Sequence, residues 1–306
     1  MDAEKIKKVI SEHEASGRYI TINGIKTFML DQGTGETVFC IHGVPTSSFL
    51  YRKVVKELKT SGLRAIALDL PGLGLSDRPE DFDYRFPVFA SFCKDFLDNI
   101  RVQQFHLIVH DIGAPIGFAL AAMVSDRVRS ITILNSMLDL ENFTKPLLMR
   151  PFEKPILGEA ELMTLTHATW PLMMKYACVE NLDAIPKEET AAYIDLLKRE
   201  DNGKAFLKIM RQFEQTHEFT TTCYAAVQNP VYPVQLIWGK NDPFLPYDEF
   251  AVQFQKARPD VPTFPVEAKH LLQEEQFEFI AQKVKELVLQ TSSFNHSKPG
   301  NNQKSL

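Results

Sequence analysis

The sequence has no apolar run near the roughly 18 uninterrupted residues that a membrane-spanning helix needs. Its opening stretch, MDAEKIKKVISEHEASGR, is charged and lacks the apolar core of a secretory leader. A cytoplasmic protein with no membrane partner is therefore the expectation. A basic excess is missing too: 34 Lys and Arg against 39 Asp and Glu leave a formal charge of −5, which gives nucleic acid no electrostatic footing. Cysteine is scarce. Cys40, Cys93, Cys178 and Cys223 show no CxxC spacing, and Cys40 lies in an apolar run, so unpaired thiols are expected rather than a disulfide framework.

What is present is an apolar content of 44% over 306 residues, enough to bury one large core. Short, β-branched apolar runs recur with helical stretches between them: RYITI, KTFML, TVFCIHG, RAIALDLPG, HLIVHDIG, RSITILNS, VQLIWGKND and PTFPVEA. Strands alternating with helices predict a mostly parallel, eight-stranded sheet covered on both faces. From 137 to 229 the pattern turns helical, with apolar residues at three- and four-residue steps in ELMTLTHATWPLMMKYA, KEETAAYIDLLKRE and GKAFLKIMRQFEQT. The expected organisation is a sheet domain in two parts, 1–136 and 230–290, a helical insertion at 137–229 after the sixth strand, and a loose polar tail at 291–306.

Open parallel sheets place chemistry in loops beyond the carboxyl ends of their strands, and four strand ends here finish on polar or glycine-rich sequence. In LIVHDIGAPIGFALA a strand, a sharp turn and a helix put Asp111 where a nucleophile elbow carries its serine, with Gly113 and Ala114 closing the turn and Gly117 bringing helix and sheet together. A helix N-terminus at that turn favours a carboxylate. The same residue taken alone reads equally well as an N-cap. Asp242 follows the strand VQLIWG, and His270 follows the next short strand. The chain order nucleophile, acid, histidine selects the catalytic reading over the separate bland ones, a turn-forming Asp before Pro243 and a structural histidine. HGVPTSS supplies a fourth element: the backbone N–H groups of Val44 and Ile112 form the expected oxyanion hole, and His42 is expected to brace the loop. The Glu274–Glu275 pair beyond His270 reads as a solvated helix start.

With these residues in view, HGVPTSSFLYRK, DLPGLGLSDRP, VHDIGAPIG, WGKNDPFLP and KHLLQEE resemble the haloalkane dehalogenase and epoxide hydrolase branch of the α/β-hydrolase fold. The resemblance covers about residues 18–290 and weakens in the insertion, which is similar to that branch's helical cap. It implies Asp111 as nucleophile, His270 as base, Asp242 as the acid that orients it, and a pocket between cap and sheet. Asp139, used as the acid in some members, is weighed and set aside because Asn135 lies nearer the strand end; Asp139 is expected to cap the first helix of the insertion. A carboxylate nucleophile suits an sp3 carbon, since attack there gives an ordinary alkyl ester rather than a strained anhydride. The expected partners are a small apolar organic substrate and water, with no cofactor and no metal, in a monomer or homodimer.

The leaving group separates the activities. Dehalogenases of this resemblance carry a tryptophan after the nucleophile and a second N–H donor; here Ile112 and Val44 occupy those positions, and Trp170 is the one indole in the insertion. Epoxide opening leaves an alkoxide that needs an acidic O–H, and Tyr176, Tyr193 and Tyr224 are the candidates. The tyrosines make epoxide hydrolysis the first expectation, with dehalogenation second and β-lactone cleavage third. A non-catalytic receptor on the same fold is a reading from another class, disfavoured because no triad member is missing.

Overall fold

The computed structural model describes residues 2–296. All eight anticipated strands form one sheet: β1 (Arg18–Ile22), β2 (Ile25–Gln32), β3 (Thr37–Ile41), β4 (Arg64–Leu68), β5 (Phe105–His110), β6 (Val128–Leu134), β7 (Val234–Gly239) and β8 (Thr263–Val266). Their order is β1-β2-β4-β3-β5-β6-β7-β8. β2 runs antiparallel to both its neighbours, and every pairing from β4 onward is parallel. β5 and β7 are buried along their whole length, as strands covered on both faces must be, and this is why they read as continuous apolar runs.

The helices are α1 (Ala3–Ala15), α2 (Arg52–Thr60), α3 (Phe86–Asn99), α4 (Gly113–Met123), α5 (Leu157–Thr164), α6 (Trp170–Met173), α7 (Lys187–Lys198), α8 (Lys204–Arg211), α9 (His217–Gln228), α10 (Tyr247–Ala257) and α11 (Phe277–His296). α4 carries no charged residue and is buried from Gly113 to Ala121, since α3 and α9 enclose it against the sheet. A Cβ on Gly117 would strike the Val109 side chain, so glycine there sets how closely α4 approaches β5.

Between β6 and β7 the chain is helical throughout its regular elements, as expected, but with one difference. The stretch around Trp170 is not one helix: α5 ends at Thr164, α6 begins at Trp170, and Met174–Cys178 opens into a π-turn. The last helix before β7, α9, packs on α4 and α10. At the other end of the chain, α11 runs through His296 rather than stopping at 291; Thr291 is buried, so the chain is still packed on the core where the loose tail was expected to begin. Residues 297–306, the rest of the anticipated tail, lie outside the described residues. Among the described residues no helix is long and apolar enough to cross a membrane.

Candidate active site

Asp111 leaves β5 with φ +53°, a left-handed conformation that a side chain other than glycine's adopts at a cost and that neighbouring bonds must hold. Its N–H donates to the Asn135 carbonyl (3.0 Å), and its own carbonyl accepts from Ser136 Oγ (2.8 Å). Space beside it comes from glycine: a Cβ on Gly43 would collide with the Asp111 carboxylate, and one on Gly113 with the Ile41 carbonyl. The two oxygens of the carboxylate then have different surroundings. Oδ1 accepts the Val44 N–H at 2.9 Å, and the Ile112 N–H also bonds the carboxylate. Oδ2 lies 3.7 Å from His270 Nε2. Burial pushes the Asp111 pKa above the ordinary 3.8, with His270 and the two N–H groups offsetting only part of the effect.

His270 donates from Nδ1 to Asp242 Oδ2 at 2.8 Å, which leaves Nε2 facing Asp111. Burial disfavours its charged form, but the Asp242 and Asp111 carboxylates outweigh that and hold its pKa above 6.5. Asp242 is fixed on every side. Its Oδ1 accepts the N–H groups of Phe244 (2.7 Å) and Leu245 (3.1 Å), and its Oδ2 accepts Asn135 Nδ2 (2.7 Å) besides the histidine. The His270 backbone is held as well, its N–H on the Ala177 carbonyl (3.1 Å) and its carbonyl on His110 Nε2 (2.8 Å). His42 bridges the Gly43 carbonyl and the Leu70 N–H, bracing the oxyanion loop from below.

Above Asp111 and His270 lies a cavity of about 60 Å3 with mostly apolar walls, among them Val44, Ile112, Phe143, Trp170, Phe206, Phe213 and Phe244. At roughly 10–15 Å3 per water-sized group, it holds about five such groups. Trp170 is in this wall, and its buried Nε1 finds no acceptor among the described residues. Met173 lines it, whereas Met174 is buried behind the wall and Met163 is exposed.

None of the three candidate tyrosines is in that wall. Tyr193 is buried, but its hydroxyl is already committed to Glu274. Tyr176 is 62% exposed on an outer depression, and Tyr224 is half-buried on α9, away from the cavity. Glu274 is not solvated as expected: its carboxylate is buried between Arg52 (2.6 Å), Lys53 (2.9 Å) and the Tyr193 hydroxyl, while Arg52 also reaches Glu189 on α7. Glu275 accepts the N–H groups of Glu180 and Asn181, so both glutamates tie the His270 loop to the insertion. Asp139 caps no helix; it accepts from Asn142 in a turn, and the next helical element starts at Leu147.

Two residues of the site escaped sequence reasoning. Asn135 was visible at the end of β6, but its double role, holding Asp242 and the Gly239 N–H (2.7 Å), depends on β6 and β7 being neighbours. Lys145 is buried in the cavity wall, and nothing in its sequence context separates it from a solvated lysine. Among the described residues no cluster of three or more His, Cys, Asp or Glu is placed to hold a metal ion.

The geometry can be set beside known proteins. The haloalkane dehalogenase 2 of Mycobacterium tuberculosis is 36% identical over 107 residues, 35% of this chain, and the match spans only 37% of that relative's length. The crystal structure of haloalkane dehalogenase DbeA from Bradyrhizobium elkani superposes with a TM-score of 0.76 over 91% of this chain and 99% of that one, at 23% identity. The epoxide hydrolase CorEH gives a TM-score of 0.71 over 90% and 98%, at 19% identity, so at these identities both share the fold. A model of the alpha/beta hydrolase fold matches residues 36–277, well over half of the sequence. The chain belongs to the alpha/beta hydrolase fold family.

Proposed function

We propose that this protein is a hydrolase that displaces a halide from a small haloalkane through a covalent ester on Asp111. The observation that carries this reading is the division of labour within one carboxylate at the cavity: Oδ1 accepts the Val44 N–H, the Ile112 N–H also bonds the carboxylate, and Oδ2 faces His270. In the first step an Oδ2 lone pair attacks the sp3 carbon, the C–halogen bond breaks, and the halide leaves with the bonding pair toward the Trp170 N–H. In the second step His270 Nε2 takes a proton from water, and the resulting hydroxide attacks the Asp111 carbonyl carbon. The negative charge then grows on Oδ1, where the Val44 N–H already points and the Ile112 N–H, which bonds the same carboxylate, is at hand. Collapse breaks the bond to the alkyl oxygen, which leaves as the alcohol with the proton held by His270, and the carboxylic acid left on Asp111 then gives up its proton to solvent, so that alcohol, halide and one proton are released and the carboxylate is restored. The sheet domain and a lid formed by the insertion would divide these tasks.

The choice of halide over epoxide follows from the donors. An indole N–H can hold a halide but is too weak an acid to protonate an alkoxide, and the tyrosines that would do so lie elsewhere. The test is the intact mass of His270→Gln after exposure to pooled haloalkanes and epoxides. The expected adduct equals the haloalkane minus hydrogen halide and is absent from Asp111→Asn. An adduct retaining a whole epoxide would replace the halide reading by ring opening, and an unmodified protein across the panel would refute both.

A further inference from the structure

Lys145 is the one cationic side chain in a wall that is otherwise apolar apart from Asp111 and His270. It is only 4% exposed, and burial lowers its pKa, so the ammonium is held at a cost that a surface ion pair would not carry. Its Nζ contacts Glu153 (2.5 Å) and sits 4.0 Å from the centre of the Phe213 ring. Those contacts do not saturate it: an ammonium has three N–H donors, and Glu153 accepts one. Glu153 is itself 31% exposed and can turn to water, which Lys145 cannot. Lys145 also lines the outer depression beside the cavity, whereas Asp111 lines the inner chamber alone. The cation therefore stands between the chemistry and the outside.

A neutral haloalkane gains nothing from this group. We infer that the cavity is built for a substrate with a carboxylate at one end and the reacting carbon at the other, such as a short haloalkanoate, and that the Lys145 ammonium anchors the carboxylate. The inference rests on reading Asp111 as the nucleophile of the same cavity. In these apolar surroundings a second carboxylate on Nζ makes a charge-assisted hydrogen bond of the strong kind, and orients the halogen-bearing carbon inward.

The test begins with binding, which needs no turnover. Butanoate and pentanoate are titrated against their primary amides on the wild type, Lys145→Met and Glu153→Gln. Carboxylates are expected to bind the wild type at least about tenfold more tightly than amides. Lys145→Met should erase that preference and leave amide binding unchanged. Glu153→Gln, which removes a competing carboxylate, should strengthen carboxylate binding severalfold, a gain that a purely structural ion pair does not predict, and it stands as the test if Lys145→Met fails to fold. Equal binding of acid and amide, or loss of both in Lys145→Met, overturns the inference. The second arm is adduct formation in His270→Gln with 4-bromobutanoate against 1-bromobutane. Adducts from both at equal rates leave the nucleophile standing and refute the anchor; Lys145-dependent carboxylate binding with no adduct from either refutes the nucleophile and keeps the anchor.

Discussion

At the carboxyl ends of the strands, each reacting group is held by main-chain atoms: Asp111 by the N–H of Val44 and Ile112, Asp242 by those of Phe244 and Leu245, and the His270 loop by the Ala177 carbonyl. Across the cavity, in the insertion, the groups are held by other side chains, as Tyr193 is by Glu274 and Lys145 by Glu153. Backbone donors are fixed by the turn itself, so a short motif determines them. Side-chain partners follow no fixed spacing, with Glu274 lying 81 residues from Tyr193 and Glu153 eight from Lys145, so no local pattern announces them. The sheet side of the site is thus set largely by its turns, and the insertion side by side-chain pairs that no turn geometry fixes.

The largest effect that would sharpen this contrast is expected from Asp242→Asn. The amide cannot stabilise the imidazolium or hold the same tautomer, and hydrolysis of the Asp111 ester should slow by roughly 10^3- to 10^4-fold, as triad acids generally show. Ester formation, which uses Asp111 and the Trp170 N–H but not Asp242, should persist, so rapid-quench mass spectrometry should find the variant loaded. Equal loss of both steps would mean that Asp242 supports the fold of the site rather than its second step. The pH profile gives the same division. His270 must be neutral to act as base, and Asp242, which stays beside it once Asp111 is esterified, favours its charged form against burial, so ester hydrolysis should fall as pH drops and His270 takes up its proton. Stability runs the other way. A histidine whose folded pKa is raised contributes stabilisation that is complete below its unfolded pKa and is lost as pH rises through the folded one. A single-turnover profile with no acid limb would contradict the assignment of His270.

A smaller effect is expected on the insertion side. Trp170→Phe keeps the ring and deletes the N–H, and one lost donor to a developing halide should slow ester formation by about 10- to 100-fold without altering ester hydrolysis. A change in hydrolysis alone would place Trp170 with the packing residues of the lid.

How much of this was legible in the sequence follows the same line. The eight strands were legible because buried parallel strands are continuous apolar runs, and the meeting of Asp111, Asp242 and His270 at one place because each follows a strand on a polar or glycine-rich turn. Val44 and Ile112 were legible because they contribute backbone N–H groups, which any residue at those positions supplies. The tyrosines were misjudged for a physical reason: α7 is buried nearly all round, so its periodicity does not say that Tyr193 turns to Glu274 instead of the cavity. The break between α5 and the π-turn means that no single helical period runs through Tyr176, so its direction could not be read from the pattern. Lys145 is the extreme case, since a buried lysine and a solvated one share the same neighbours in sequence.

The smallest catalytic effect is expected from Tyr193→Phe, and it tests whether the insertion's tyrosine is fastener or reagent. The hydroxyl donates to a Glu274 carboxylate that is fully buried, and phenylalanine keeps the ring packed against Phe49 at 5.2 Å. Losing one donor to a buried charge costs about 1–3 kcal/mol, so thermal or urea unfolding should shift by that amount while both chemical steps change by less than about twofold. The loss should depend on pH in a defined sense. Burial alone would raise the Glu274 pKa, but Arg52, Lys53 and Tyr193 bring it down to about 2, so its contribution is present above the unfolded value near 4.5 and is lost as pH falls toward 2. The stability gap between wild type and Tyr193→Phe should therefore be full at neutral pH and narrow in acid. A variant that folds with unchanged stability but no longer opens an epoxide would reverse the roles, making Tyr193 a proton donor that leaves Glu274 during turnover, and would make the insertion's side-chain bonds part of the chemistry rather than its frame.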